Sequence, residues 1–465
     1  MKKNEIYEGT VSELRFPNKG VVCTAEENVI VKGVLPGQTV SFVLTKKKNG
    51  RYEGRLKEVL KKSPEECESP CPHFGNCGGC SYQNLPYEAE LKLKEGQVKT
   101  ILDRAILGEY DYEGITASPQ CEEYRNKMEF SFGNEYLEGP LTLGMHRRGR
   151  FNDVITVDKC RIMDGDFRLI VEETLDFFKS REIPFYRKHT EKGFLRHLLL
   201  RKGKKTGEIL LLIETTTQLD FDMKRYAEMA LSLEEKMEGR YAGILHLKND
   251  DPGDCVKGED PEILYGRDHF YDEVLGLRFR ITPFSFFQTN TLGAELLYGK
   301  AREYALSVTE GKSPVVFDLY SGTGTIGQIM SKAASKVVGI EIVKEAVKAA
   351  KENAAMNGLH NTEFLAGDVL KELDSVEEKP DLIILDPPRD GCAPKALQKI
   401  LDYGVSNIIY ISCKITSLER DLVPVQEAGY RVKKAAVIDM FPNTSGVETI
   451  VILSRDGEAG TEGRQ

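Results

Sequence analysis

No stretch of this sequence approaches the roughly 18 consecutive apolar residues that a membrane-spanning helix requires, and the opening MKKNEIYEGT has no apolar core of a secretion signal. Both absences lead us to expect a cytoplasmic protein with no membrane partner. There is no internal repeat at solenoid periods, which excludes a stacked-repeat architecture. Net positive charge is also missing: 64 Lys and Arg against 73 Asp and Glu leave −9, which argues against wholesale attraction to a polyanion. The C-x2-C pair that usually occurs twice in a zinc site occurs once, and no three cysteines show the C-x3-C-x2-C spacing of radical chemistry.

What is present is length, local charge and thiols. The 465 residues suggest about three domains. The first 62 hold 13 Lys and Arg against 7 Asp and Glu, crowded into KKKNGRYEGRLKEVLKK with Tyr52 among them. That composition suits a nucleic-acid backbone and a stacked base, and equally a solvated basic face. Ten cysteines in a reducing compartment favour metal binding or thiol chemistry over disulfides.

The hydrophobic pattern divides the chain. Residues 1–63 carry short β-rich runs such as YEGTVSELRF and QTVSFVLTKK between Gly, Pro and Asn turn signals, the pattern of a small OB-like barrel. Residues 64–270 start with a cysteine-rich linker and a charged helix near 87–107 able to pack on the next domain. They continue as an α+β mixture of stretches such as NKMEFSFG, GEILLLIETT and FRLIVEETLDFFKSRE. From 271 to 455 the apolar strands PVVFDLY, KVVGIEI, DLIILD, NIIYIS and AAVIDM alternate with helical segments, so the fold class there is α/β with a doubly wound sheet. Residues 456–465 read as a disordered tail.

The chemistry concentrates in that last part. FDLYSGTGTIG runs from strand to helix, and Gly322, Gly324 and Gly327 match G-x-G-x-x-G. Asp318 just before them would repel a pyrophosphate, whereas S-adenosylmethionine carries an ammonium and a sulfonium and no phosphate, so the acid favours that donor. Glu341 closes the next strand, where a carboxylate can accept both ribose hydroxyls. Asp386, in LIILDPPRDG, ends another strand beside two stiffening prolines and faces the same crevice. Asp368, in AGD, is a candidate for contact with the adenine.

Cys413, at the end of NIIYISC, should reach that crevice too. A thiolate can add to C6 of a pyrimidine and make C5, otherwise a poor nucleophile, able to take a methyl group; a base must then remove the C5 proton, and Glu448 is the candidate. A free thiol with a pKa of about 8.5 needs help from positive charge, for which Arg389 and Lys414 are candidates.

Residues 275–453 resemble the RNA uracil-5-methyltransferase family, through FSFFQTN, DLYSGTGTIG, GIE, DPPRDG, YISC and FPNTSGVE. The resemblance implies a Rossmann-like methyltransferase domain that uses S-adenosylmethionine, held by Gln288, Tyr320, Glu341 and Asp386, with Cys413 as nucleophile and Glu448 as base. Two departures stand out. The family often has Asn-Pro where this chain has Lys414 and Ile415, and His-Val-Glu where it has Gly446, Val447 and Glu448.

CESPCPHFGNCGGC supplies Cys67, Cys71, Cys77 and Cys80, with Cys160 later, a spacing compatible with a metal cluster. The family's 23S rRNA-modifying branch looks similar, with an N-terminal TRAM barrel, C-x5-C-G-G-C and a later fourth cysteine. The resemblance implies a 4Fe-4S cluster on Cys71, Cys77, Cys80 and Cys160, with zinc, or Cys67 in place of Cys160, as alternatives. YRNKMEF (124–130) and HRRGR (146–150) resemble family segments that contact RNA. The expected function is methylation of C5 of a flipped-out uridine in an rRNA loop by a protein favoured to be a monomer. A tRNA-directed relative, a cytosine-5 enzyme, for which Arg389 stands where a cysteine is usual, and a non-catalytic Fe-S RNA-binding protein are the rival readings.

Overall fold

The computed structural model describes residues 1–455 apart from Asp254, Glu259, Gly311, Asp374 and Ser375; the expected disordered tail, 456–465, lies outside the described residues. Five strands come first: β1 (Ile6–Arg15), β2 (Lys19–Cys23), β3 (Asn28–Lys32), β4 (Thr39–Lys48) and β5 (Arg51–Lys61). They close into a barrel in the order β1-β2-β3-β5-β4. Alternate apolar residues, among them Val22, Val29, Val31, Val40 and Phe42, fill it. The basic hairpin of β4 and β5 lies outside, with Lys47 over the Tyr52 ring.

After the cysteine-rich loop come α1 (Tyr87–Ala105) and β6 (Asp111–Thr116), then β7 (Lys127–Gly133), β8 (Thr142–Arg147), β9 (Arg150–Thr156) and α2 (Gly165–Lys179). Next are β10 (Leu195–Lys202), β11 (Glu208–Thr215), α3 (Lys224–Ser232), β12 (Arg240–Lys248) and β13 (Glu262–Gly266). A seven-stranded middle sheet has the order β13-β12-β11-β10-β7-β8-β9. The two-residue period of its strands explains how it is held. Leu198, Leu200, Leu211 and Ile213 face α2 and α3, while the intervening Leu199, Leu210 and Leu212 share a core with the last part of the chain. A sheet buried on both faces is fastened by apolar area rather than hung on a linker.

That last part holds the hairpin β14 (Phe270–Val274) and β15 (Leu277–Ile281), then α4 (Thr291–Val308), β16 (Val315–Leu319), α5 (Thr325–Met330), β17 (Lys336–Glu341), α6 (Lys344–Met356), β18 (Thr362–Ala366), α7 (Val369–Glu372) and β19 (Leu382–Leu385). It ends with α8 (Pro394–Asp402), β20 (Asn407–Ser412), α9 (Ile415–Glu427), β21 (Tyr430–Ile438) and β22 (Glu448–Arg455). The eight-stranded sheet runs β18-β17-β16-β19-β20-β22-β21-β6. Strands β16 to β20 are parallel, β22 is antiparallel to β20, and the order reverses between β16 and β19. Ligands bind outside the carboxyl ends of parallel strands at such a reversal.

Strand β6, from far earlier in the chain, joins this sheet's edge beside β21. Helix α1 packs beside it through a buried charge group. Lys94 Nζ lies 2.6 Å from Glu90 and donates to Asp439 Oδ1 at 2.9 Å and to the Phe441 carbonyl at 3.1 Å. The loop 439–447, which ends at Glu448, is thereby tied to a helix more than 300 residues earlier.

Candidate active site

At the reversal, Asp318 is fully buried near the end of β16. Its Oδ2 accepts the Gly327 N–H at 2.8 Å, whereas Oδ1 has no partner. Burial pushes this carboxyl up to about 8; the Gly327 N–H opposes the shift, and Asp386 and Glu341 add to it. Tyr320 follows with φ +67°, an uncommon conformation for a bulky residue, and its N–H bonds the Ile340 carbonyl. Gly322 (φ +54°) donates to Glu341 Oε2 at 3.0 Å, and Val343 N–H donates to Oε1 at 2.9 Å, so backbone holds both oxygens of that acid. A Cβ on Gly322 would meet nothing within 4 Å, so space lies open over the loop; at Gly324 it would stand 2.6 Å from the Phe364 ring. An unpartnered buried carboxylate oxygen, an acid at the neighbouring strand end and a bare backbone bed fit a cationic cofactor. Asp368 is exposed and caps α7 through the Leu370 N–H at 2.8 Å.

Asp386 follows β19; part of the residue is exposed at the rim, but its carboxyl is enclosed, and burial raises it to about 7. One strand further, the antiparallel register of β20 on β22 pairs Ser412 with Thr449. Continued by one residue, it sets Cys413 opposite Glu448 on the same face, where directly opposed side chains are neighbours. Their charges agree with this proximity. Burial first, then Glu448 and Asp386, push the Cys413 thiol up to about 11, with Arg389 opposing them. Glu448, 2% exposed, is itself held well above the usual carboxylate range by burial and by Asp386, again against Arg389.

Of the two cations suggested for the thiol, only Arg389 acts on it. Lys414 pairs with Asp390 at 3.7 Å. Ile415 is fully buried in the core beneath α9. At Gly446 a Cβ would stand 3.0 Å from the Phe441 ring, a tight fit for the side chain that the family often carries there.

Gln288 lies in the loop before α4, its side chain beside the buried Tyr298 hydroxyl. Asp386, Glu448 and Asp318 also act on that hydroxyl, and burial raises its pKa well above the phenol range. Tyr298 was missed by sequence reasoning because a tyrosine in an amphipathic helix looks like any core aromatic.

The cysteine loop adjoins the loop leading to Glu448: the N–H groups of Ser81 and Tyr82 both donate to the Asn443 carbonyl, at 2.8 and 3.0 Å. Cys71, Cys77, Cys80 and Cys160 are free and electrostatically coupled, with Cys80 pushed up to about 12 first by burial and then by the other three. Cys67 is not among the charges acting on Cys77, Cys80 or Cys160. Gly79 N–H donates to Cys77 Sγ at 3.4 Å and Gln83 to Cys80 Sγ at 3.7 Å. Among the described residues no group of three or more His, Cys, Asp or Glu is placed to hold a metal ion.

On the HRRGR hairpin, His146 stacks on Phe151 with centroids 4.6 Å apart, and Lys188 lies over the same ring, which is 62% exposed. In YRNKMEF, by contrast, Tyr124 and Asn126 are buried. Their polar atoms point into the catalytic part rather than to a surface that RNA could touch.

The family model described as tRNA (Uracil-5-)-methyltransferase matches residues 271–456. An uncharacterized RNA methyltransferase of Clostridium tetani is 45% identical over 98% of this chain and 99% of its own length. Another, from Caldanaerobacter subterraneus subsp. tengcongensis, is 46% identical over 98% of this chain and all of its own length. Among solved structures, the Pyrococcus abyssi tRNA (uracil-54, C5)-methyltransferase in complex with S-adenosyl-L-homocysteine superposes with a TM-score of 0.76 over 96% of this chain and all of that one, at 24% identity, a likeness of fold. With relatives aligned end to end at this identity, the chain belongs to the RNA methyltransferases, and its residues 271–456 match the model of the tRNA (Uracil-5-)-methyltransferases.

Proposed function

We propose that this protein transfers a methyl group from S-adenosylmethionine to C5 of a uridine in RNA, with Cys413 as nucleophile and Glu448 as base. The observation that supports the reading is the β20–β22 register, whose last pair, Ser412 with Thr449, is followed by Cys413 on one strand and preceded by Glu448 on the other, with Glu448 and Asp386 both acting on the thiol. S-adenosylmethionine supplies the methyl group from its sulfonium and would be held by Gln288, Tyr320, Glu341 and Asp386. Cys413 Sγ, as thiolate, adds to C6, and the ring electrons move onto O4 as an enolate. The enolate's C5 takes the methyl group, leaving the donor as a thioether. Glu448 removes the C5 proton, the C5=C6 bond re-forms, and the C6–S bond breaks with its electron pair returning to sulfur.

The substrate is rRNA, of the 23S class, in a loop whose uridine can leave its stack. The closed, basic N-terminal barrel, read as a TRAM domain, and the four coupled cysteines support this choice. Cys71, Cys77, Cys80 and Cys160 would hold a 4Fe-4S cluster with a structural role beside the loop that leads to Glu448. The protein works as a monomer in the cytoplasm. A tRNA substrate is the second reading, favoured by the end-to-end fold likeness to a tRNA-modifying enzyme.

The test is transfer of labelled methyl groups to 23S rRNA and tRNA transcripts offered separately, followed by identification of the modified base. 5-Methyluridine in rRNA, lost with Cys413→Ala, is expected. Label in tRNA alone would move the substrate assignment, and transfer unaffected by Cys413→Ala would overturn the mechanism.

A further inference from the structure

The segment before β7 enters the middle sheet, yet two of its side chains serve neither that sheet nor solvent. Tyr124 is 2% exposed and donates its hydroxyl to the Pro442 carbonyl at 2.9 Å, in the loop that ends at Glu448. Asn126 is 8% exposed and donates from Nδ2 to the Gln288 carbonyl at 3.1 Å and to Thr291 Oγ1 at 2.8 Å. Its own N–H reaches the Thr289 carbonyl at 2.9 Å. Next door on β10, paired with Lys127, fully buried Arg201 donates to the carbonyls of Thr282, Pro283 and Ser285 at 2.8, 3.2 and 2.6 Å. One end of the middle sheet therefore grips both loops that flank the crevice. A buried carbonyl that loses its donor cannot turn to water, so each loop would shift if its partner were removed.

We propose that Tyr124 and Asn126 are positioning residues for the two halves of the reaction: Tyr124 fixes the loop ending in Glu448, and Asn126 fixes the loop carrying Gln288. This rests on the roles proposed above for Glu448 and Gln288. It makes the two residues separable by kinetics. Misplacing the base slows proton removal after the methyl group has moved and strands the Cys413–C6 adduct, whereas misplacing Gln288 weakens cofactor binding and strands nothing.

The experiment uses the full-length protein, with the melting transition of each variant recorded as a check on folding. Tyr124→Phe is expected to bind S-adenosylhomocysteine and RNA as the parent does and to complete a first methyl transfer. Its multiple turnover should fall about tenfold while a denaturation-resistant protein–RNA adduct accumulates. Asn126→Ala is expected to raise the dissociation constant for S-adenosylhomocysteine about tenfold without adduct. Should that variant fail to fold, Asn126→Ser, which keeps a small polar group, carries the same measurement. Equal loss in every parameter for both variants, or no change in either, overturns the proposal. Glu448→Gln is run alongside. Adduct with Glu448→Gln but none with Tyr124→Phe overturns the role of Tyr124 alone. No adduct with either overturns the assignment of Glu448 and the positioning claim built upon it.

Discussion

At the scale of single residues, the protein's own groups hold the thiol in the wrong protonation state for attack. With the Cys413 pKa at about 11, chiefly through burial and then through Glu448 and Asp386, only roughly one molecule in ten thousand carries a thiolate at pH 7. Arg389 alone among the neighbouring charges opposes this. A sulfonium in the crevice adds the positive charge that the thiol lacks, so binding of the donor should prime the nucleophile. S-adenosylhomocysteine is nearly the same shape with a neutral thioether, and separates charge from occupancy. The apparent pKa for alkylation of Cys413, followed on its own peptide by mass spectrometry across pH, is expected to fall with S-adenosylmethionine and to stay near its ligand-free value with S-adenosylhomocysteine. Equal values with both ligands would show that the charge does not reach the sulfur.

At the scale of elements, the β16–α5 loop makes a graded prediction. Gly322 and Gly324 both have positive φ, so an alanine at either costs about 1–2 kcal/mol in backbone strain. Only at Gly324 does the added methyl group also run into Phe364 at 2.6 Å and Ala350 at 2.9 Å, a further cost of about 1–3 kcal/mol. Denaturant unfolding should rank Gly324→Ala well below Gly322→Ala, and equal stabilities would contradict the close packing. The strands around this loop were legible in the sequence because parallel strands buried on both faces read as unbroken apolar runs, as in LIIL and NIIYIS. Strand β6 was not, because DYEGIT is polar with no fully buried position, and its partner lies more than 300 residues later. The candidate site was legible as a set of motifs, but the pairing of Cys413 with Glu448 needed the register of β22 on β20. The roles of Tyr124 and Asn126 inside the segment 124–130 were not legible, because a buried polar side chain and a surface one look alike until its distant acceptor is known.

At the scale of the whole molecule, the middle sheet and the catalytic sheet share one apolar core, so the energetic cost of the acidic crevice is borne by the stability of both. Asp318 and Asp386 have pKa values raised to about 8 and about 7, while in the unfolded chain each titrates near 4. Between these limits the folded protein keeps protons that the unfolded chain has lost. Their contribution is therefore fully present below about pH 4 and is lost as pH rises through about 7 to 8. Asp318→Asn, neutral throughout and still able to accept the Gly327 N–H, removes the larger share. The stability of that variant relative to the parent is expected to climb as pH rises from about 4 to about 8, by an amount on the order of a few kcal/mol. Over the same interval the parent's thermal stabilisation by S-adenosylmethionine should grow, because the ionised acids meet a cation. Unfolding of both proteins across pH, with and without the cofactor, makes the measurement. A difference between them that stays flat would mean that the Asp318 carboxyl is already ionised in the folded crevice, and that its unpartnered oxygen is held by something other than a retained proton.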